Sequence, residues 1–452
     1  MDPEILARLS TYSHIVVAWI GDDGYPVQTP ALFSVDGDRG EVRIARTGLP
    51  LPTDREVNII ASHIRPTPGY GYDERRYILL WGRLSAAGDE MLLRPQRAWG
   101  WDEAEVPFFE YAERSNPRAR RYLDIMSRER GAPVKPRLSL LWTFLVATRL
   151  PFLTATVVPI LLGIAVAARD GYFNLGLALL TILGGAAVHI GLNTANDIFD
   201  ALSGADEANV NPTQFSGGSR VIQRGLLSLR QMISLSAGAY VIGIGTGLYL
   251  VIQRGSLELL LIGVAGVLIS FFYTAPPLRL VHRGLGEVAV ALGFGPIMVL
   301  GAYVVQAERL SAEALIASVP VAILIALVLY VNEIPDRRGD ASVGKRTLPV
   351  RMSAGAVTAG FLASALLAFA IIAVAAATGV IPRPALLALV ALPLVFKVYA
   401  GIKECYGKPY ELMAVMGKNV QLHLVVGALL FAGYMVSVLL TAAFDSPPGV
   451  LV

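Results

Sequence analysis

The chain has a single cysteine, Cys405, among 452 residues, which excludes an internal disulfide and any metal site built from several thiolates. Charge is also scarce. Asp, Glu, Lys and Arg make up 16% of the residues and leave a net charge of +3, and no basic stripe with interleaved aromatics is present, so nucleic acid is not an expected partner. The five histidines, at positions 14, 63, 189, 282 and 423, lack metal-ligand spacing; His189 and His423 lie inside apolar runs, where packing is the plainer reading. The opening residues, Met1 to Arg8, hold no apolar core of the kind that precedes a signal cleavage site. Whatever precedes the first apolar run is therefore expected to stay in the cytoplasm.

What the sequence has instead is hydrophobic residues, 54% of the total, with a mean hydropathy of +0.56. That composition predicts an integral membrane protein. Nine apolar runs, with approximate cores 144–168, 173–198, 231–252, 256–274, 286–305, 313–332, 354–379, 384–401 and 420–442, are long enough to cross a bilayer core of roughly 30 Å. The connections after the even-numbered runs carry most of the Lys and Arg of this region, from Arg220 to Lys418, whereas those after the odd-numbered runs carry only Arg169, Arg254, Arg309 and Arg383. The positive-inside rule places the even connections in the cytoplasm, with the amino terminus inside and the carboxyl terminus on the opposite side of a cell membrane.

Residues 1–137 read as a β-rich cytoplasmic domain. Strands are expected over His14–Ile20, Tyr25–Val35 and Glu41–Ala45, separated by the turns Gly21–Gly24 and Asp36–Gly40. A helix is expected around Arg55–Ser62, a Pro/Gly-rich loop over Pro66–Gly71, and a return to strand over Arg76–Ala86. Serial hairpins suggest a small barrel. Residues 91–137 alternate Arg with Trp, Tyr and Phe, as in a segment lying on an anionic membrane surface or a solvated helix pair with an aromatic core, and Gly131–Pro136 reads as a linker to a membrane domain over 138–452.

Two acidic stretches stand out within the apolar background. Asn196-Asp197-Ile198-Phe199-Asp200, continuing to Asp206, closes the second run; Asn332-Glu333-Ile334-Pro335-Asp336, continuing to Asp340, closes the sixth. In each, an Asn precedes an Asp by four residues and so shares a helix face with it. Charge at a helix end in a bilayer is costly unless something uses it. One such cluster could be an ordinary capped helix end. Two oxygen-rich clusters facing each other would suit Mg²⁺, which takes a few carboxylates together with substrate phosphates, and the implied ligand is a diphosphate. The following connections, Phe215–Arg220 and Gly344–Thr347, offer small residues and cations beside it.

These stretches, with Gly344-Lys345-Arg346-Thr347-Leu348, resemble the UbiA superfamily of intramembrane prenyltransferases over roughly residues 145–440. Tyr273–Leu280, Arg283–Glu287 and Phe294–Pro296 are most similar to its 1,4-dihydroxy-2-naphthoate polyprenyltransferase branch, in menaquinone biosynthesis. The resemblance implies nine helices around a central cavity, and Mg²⁺-dependent transfer of a polyprenyl group from an isoprenyl diphosphate to an aromatic acceptor. Asn196, Asp200, Asp206, Asn332, Asp336 and Asp340 are the expected metal holders, and Arg220, Lys345 and Arg346 the diphosphate-binding cations. Asp197 is expected at the acceptor or behind the metal holders. Tyr273 is expected to steer the reacting carbon or to serve as an interfacial aromatic. A prenyltransferase of the same superfamily with a different aromatic acceptor, a terpene cyclase of that superfamily, which needs no acceptor, and a membrane transporter remain open alternatives.

The amino-terminal order of strand, turn, Tyr25-Pro26, strand and Arg46-Thr47 resembles the split-barrel flavin-binding family typified by pyridoxamine 5'-phosphate oxidase, over about residues 8–90. That resemblance implies FMN or a related flavin held by Arg46, Thr47 and Arg55, with a degenerate barrel serving regulation or docking as the alternative.

Overall fold

The computed structural model describes residues 3–37, 39–66, 72–136, 139–209, 212–213 and 215–444. The chain forms two compact units that divide between Ser115 and Asn116. Arg137 and residues 67–71 of the expected Pro/Gly loop lie outside the described residues.

The first unit begins with a short helix, α1 (Pro3–Leu9), and builds a seven-stranded antiparallel sheet from β1 (Ile15–Ile20), β2 (Pro26–Ala31), β3 (Phe33–Asp36), β4 (Glu41–Ile44), β5 (Glu56–Pro66), β6 (Tyr72–Ala87) and β7 (Glu90–Asp102). The strand order is β2-β1-β5-β6-β7-β4-β3. The two outermost strands, β2 and β3, are separated in the chain by Leu32 alone, so the sheet must curl until its edges approach. This curling makes the half-barrel. Ile15, Val17, Val42, Ile44, Ile59, Leu80 and Leu93 fill its inside, joined by Leu6 and Leu9 of α1.

Three sequence expectations are corrected here. Arg55–Ser62 is not a helix: Val57, Ile59 and Ala61 are buried while the residues between them are not, a period of two that belongs to β5. Tyr25–Val35 is not one strand but two, broken at Leu32. The segment after residue 90 is not a helix pair, because Glu90–Asp102 pairs with β6 along its whole length and only α2 (Phe108–Arg130) is helical. Tyr111 of α2 stacks on Trp101 of β7 at 4.6 Å between ring centres, with Trp99 and Phe108 packed beside them, whereas Tyr122 is exposed.

The second unit is helical. Eight of its helices are long and apolar enough to cross a membrane, and α8 is a shorter apolar ninth, among the described residues. They are α4 (Thr154–Arg169), α5 (Leu175–Ser203), α7 (Leu229–Arg254), α8 (Leu257–Phe272), α9 (Gly286–Leu292) running into α10 (Met298–Ala307), α11 (Ala312–Ser342), α13 (Ala354–Ala377), α14 (Leu392–Cys405) and α15 (Pro409–Phe444). Their order matches the nine expected apolar runs. Side-chain caps start several of them: Asn174 for α5, Ser228 for α7, Ser256 for α8, Ser311 for α11 and Ser353 for α13. α11 runs through the middle of the core, with Val321, Leu324, Val331 and Ile334 packed on Leu162 and Val166 of α4, Phe361 of α13 and Val426 of α15. Outer faces of the peripheral helices expose Leu179, Val241, Ile252, Leu261, Val390 and Leu439, as helices in contact with lipid do.

Two breaks in this regular pattern bear on the site. The first apolar run is interrupted after α3 (Leu140–Thr148) by Arg149, in the left-handed region at φ 51°, ψ 46°, before the chain turns through Pro151 into α4. A non-glycine residue there costs of order 1 kcal/mol and persists only where its surroundings hold it. Between α9 and α10, Gly293–Ile297 forms a wide helical turn containing Pro296, which re-aims Phe294 inward. Short helices α6 (Ala205–Ala208) and α12 (Leu348–Arg351) follow the two acidic stretches.

Candidate active site

Asn196 and Asp200 do share a face of α5: Asn196 Nδ2 donates to Asp200 Oδ2 at 3.0 Å. The other oxygen of Asp200 accepts from Lys345 Nζ at 2.7 Å, and the same ammonium lies 3.7 Å from Asp340 at the end of α11. Lys345 thus joins the two acidic stretches. Burial alone would drive its proton off, but Asp200 and Asp340 outweigh burial and hold the proton more tightly than on an ordinary lysine.

Asp336, one turn before Asp340, accepts from Asn209 Nδ2 at 2.8 Å and from the Gly217 backbone N–H at 3.0 Å. Asp197 looks away from Asp200, as its helical phase requires, and is fixed by Arg149 at 2.6 Å, by the Ser219 N–H and by the Ser219 hydroxyl. Gly217 and Gly218 make these contacts possible, since both have φ near +75°. A Cβ on Gly218 would lie 3.1 Å from each of Arg149, Asp197 and Asp206.

Asp206 sits on α6, taking a hydrogen bond from Gln223 Nε2 at 2.8 Å, while Arg220 donates to the Asp206 backbone carbonyl at 2.7 Å. Burial first, then the charges of Asp200 and Asp197, lift its carboxyl to about 8 against the pull of Arg220 and Arg149.

A cavity of about 190 Å³ gathers Arg149, Asn193, Asn196, Asp200, Asp206, Asn332, Glu333, Asp336, Asp340 and Lys345. The sequence-predicted carboxylates, both asparagines and Lys345 are therefore in one place. Asp197 and Arg220 stand behind its wall, bound to residues that line it. Arg346 is not brought in: its side chain is exposed and its backbone N–H donates to His282. Arg149, Glu333 and His189 also line the cavity, and the motif reading missed them. Arg149 carried a signal, being a lone cation inside an apolar run.

A second cavity, about 350 Å³ and almost wholly apolar, opens between α5, α7, α8 and α10. His189, Leu192, Tyr273, Val290 and Phe294 line both cavities, so the polar one runs into the apolar one. Tyr273 is thus at the junction of the two cavities.

The donor set suits a hard divalent cation bound with substrate. Asn332 Oδ1 is buried with no hydrogen-bond partner, and Asn332 lines the cavity together with Asp200 and Asp206 of the other stretch. Among the described residues no three acidic, His or Cys side chains converge closely enough to hold an ion by themselves. In the first unit, Arg46 pairs with Asp89 at 2.7 Å, Arg55 with Asp22 and Asp54, and Thr47 donates to the Leu49 carbonyl, so the positions implied for a flavin phosphate are all engaged by neighbours.

Comparison with known proteins covers the second unit. Residues 156–416 match the UbiA prenyltransferase family. The chain is 30% identical, over 50% of its length and 71% of the relative's, to 1,4-dihydroxy-2-naphthoate octaprenyltransferase of Bacillus subtilis (strain 168). It is 29% identical, over 66% of its length and 94% of the relative's, to 2-carboxy-1,4-naphthoquinone phytyltransferase of Synechocystis sp.. Among solved structures, a UbiA homolog from Aeropyrum pernix K1 aligns over 62% of this chain and 97% of that one, with 21% identity and a TM-score of 0.47. By its family match and by the prenyltransferases it resembles along its membrane helices, this chain belongs to the UbiA prenyltransferase family and is a multi-pass membrane prenyltransferase.

Proposed function

We propose that this enzyme transfers a polyprenyl group from an isoprenyl diphosphate to an aromatic acceptor of the 1,4-dihydroxy-2-naphthoate type, with Mg²⁺. One observation carries the reading: Lys345 binds Asp200 and Asp340 together inside a polar cavity that continues into an apolar one. A prenyl diphosphate has the matching two-part chemistry.

Asn196, Asp200, Asp206, Asn332, Asp336 and Asp340 would hold the metal. The chemistry such an ion supplies is neutralisation of the diphosphate as it departs. Lys345 and Arg149 add fixed positive charge to the same wall, and fixed charge in a site shielded from water stabilises a leaving anion more than the same charge in solvent. The apolar cavity takes the prenyl tail. Its mouth, at Tyr273 and Phe294, is where the allylic carbon must lie, because that carbon joins tail to diphosphate. The acceptor ring attacks there with its own electrons and releases a substituent or proton after the new bond forms. The basic connections, and with them the acidic ends of α5 and α11, face the cytoplasm.

Membranes containing the full chain, supplied with Mg²⁺, a labelled polyprenyl diphosphate and a panel of aromatic acceptors, provide the test. Prenylated dihydroxynaphthoate is expected from the wild type and from neither Asp200→Ala nor Asp336→Ala, with both variants still inserted. Transfer retained by both variants would end this reading of the acids. A hydrocarbon product formed without acceptor would make the enzyme a cyclase.

A further inference from the structure

His189 is placed unlike the other intramembrane histidine. Both ring nitrogens of His423 are walled in without a hydrogen-bond partner, whereas His189 is held by one nitrogen only: its Nδ1 and the Thr156 hydroxyl of α4 are 2.6 Å apart. Its Nε2 is neither bonded nor sealed off among the described residues, and the ring lines the polar and the apolar cavity together. Phe294, delivered by the wide turn between α9 and α10, packs edge-to-face on that ring at 4.9 Å and 65°. Thr156 and Phe294 fix the imidazole plane from two sides, so the free nitrogen has one direction available.

The geometry points to His189 Nε2, with its Nδ1–H donated to the Thr156 hydroxyl, as the atom that accepts a hydrogen bond from the ring hydroxyl of the aromatic substrate. The inference rests on the reading of the site as one that joins a prenyl diphosphate to an aromatic acceptor. The donor's reacting carbon lies at the junction of the cavities, and the acceptor carbon must come within van der Waals contact of it. Of the five side chains shared by the cavities, Leu192, Val290 and Phe294 offer no hydrogen bond. Tyr273 and His189 do, and His189 is the one locked in orientation from behind. A flat hydroxylated ring laid against Phe294 with its O–H on Nε2 is positioned by two contacts at once, and a ring whose oxygen has no proton to donate loses the second.

The test uses the full-length protein in detergent or nanodiscs with Mg²⁺ and one polyprenyl diphosphate, comparing dihydroxynaphthoate with its mono-methyl and di-methyl ethers. Wild type is expected to discriminate against the di-methyl ether by tenfold or more, about the strength of one such hydrogen bond. His189→Ala should raise the acceptor KM by a similar factor, leave the KM for the polyprenyl diphosphate unchanged and treat the ethers alike; His189→Gln, which returns an amide near Nε2, should recover part of the loss. Equal use of all three acceptors by the wild type overturns the assignment even if the Ala variant fails to fold, and so does an unchanged acceptor KM in a folded Ala variant. Failure of the wild type to bind the polyprenyl diphosphate, measured separately without acceptor, would remove the underlying reading instead.

Discussion

Lys345 Nζ stands 2.7 Å from Asp200 across a gap of more than a hundred residues in sequence, and it also reaches Asp340 of the other acidic stretch at 3.7 Å. Replacing it with Met removes a buried charge and leaves two carboxylates facing each other. Prenyl transfer should fall by about 10²-fold or more, chiefly in kcat, as for loss of a preorganised electrostatic contact. Steady-state kinetics in membranes checks this. Arg at the same position should restore part of the rate, and a Met variant with wild-type kcat would deny Lys345 its role.

Arg149, its side chain 21% exposed, pairs with buried Asp197 at 2.6 Å. Removing either partner strands the other charge, so Arg149→Met or Asp197→Leu alone should lower stability by about 3 kcal/mol. The double substitution should cost less than the sum of the two. Thermal unfolding in detergent for the four proteins tests it, and strict additivity would count against coupling.

At Gly218, positive φ would strain a side chain, and three polar atoms 3.1 Å away would crowd it. Gly218→Ala should destabilise the protein by about 1–2 kcal/mol and reduce transfer more severely than that figure suggests, because the displaced atoms belong to Arg149, Asp197 and Asp206. Gly245→Ala, on α7 with open space around it, is the control and should neither destabilise the protein nor reduce transfer.

Asp206 is lifted from 3.8 to about 8. Between those values the folded protein keeps a proton that the unfolded chain has released, so the native state binds more protons and its stability falls as pH rises through that window. In Mg²⁺-free buffer, Tm should decline between roughly pH 4 and pH 8, and Asp206→Asn should flatten the decline. Mg²⁺ should also bind more tightly as pH rises towards 8, since each ion must displace that proton. Calorimetric titration at several pH values measures both effects, and an unaltered profile in the Asn variant would assign the slope to other groups.

How much of this could be read from the chain differs between the units. Membrane helices announce themselves by length and composition, and the Asn-to-Asp spacing of four placed Asn196 on Asp200 correctly because helical phase is local. Arg149 escaped notice for the opposite reason. Its importance comes from a left-handed backbone and from Asp197, neither of which is encoded nearby. Arg346 misled because adjacency to Lys345 says nothing about which way an extended connection faces. In the first unit, β5 was misread as a helix because Glu56-Val57-Asn58-Ile59-Ile60 is short and its two apolar neighbours, Ile59 and Ile60, blur the alternation that pairing with β1 and β6 makes decisive.

The turn at Gly217–Ser219 has a mechanical consequence. The Gly217 N–H holds Asp336 and the Ser219 N–H holds Asp197, so at this end α11 and α5 are tied by two hydrogen bonds across two peptide units of about 3.8 Å each. A ruler made of peptide bonds does not stretch with lipid composition or membrane thickness. Inserting a single residue into this turn should uncouple the two acidic rows without touching any acid.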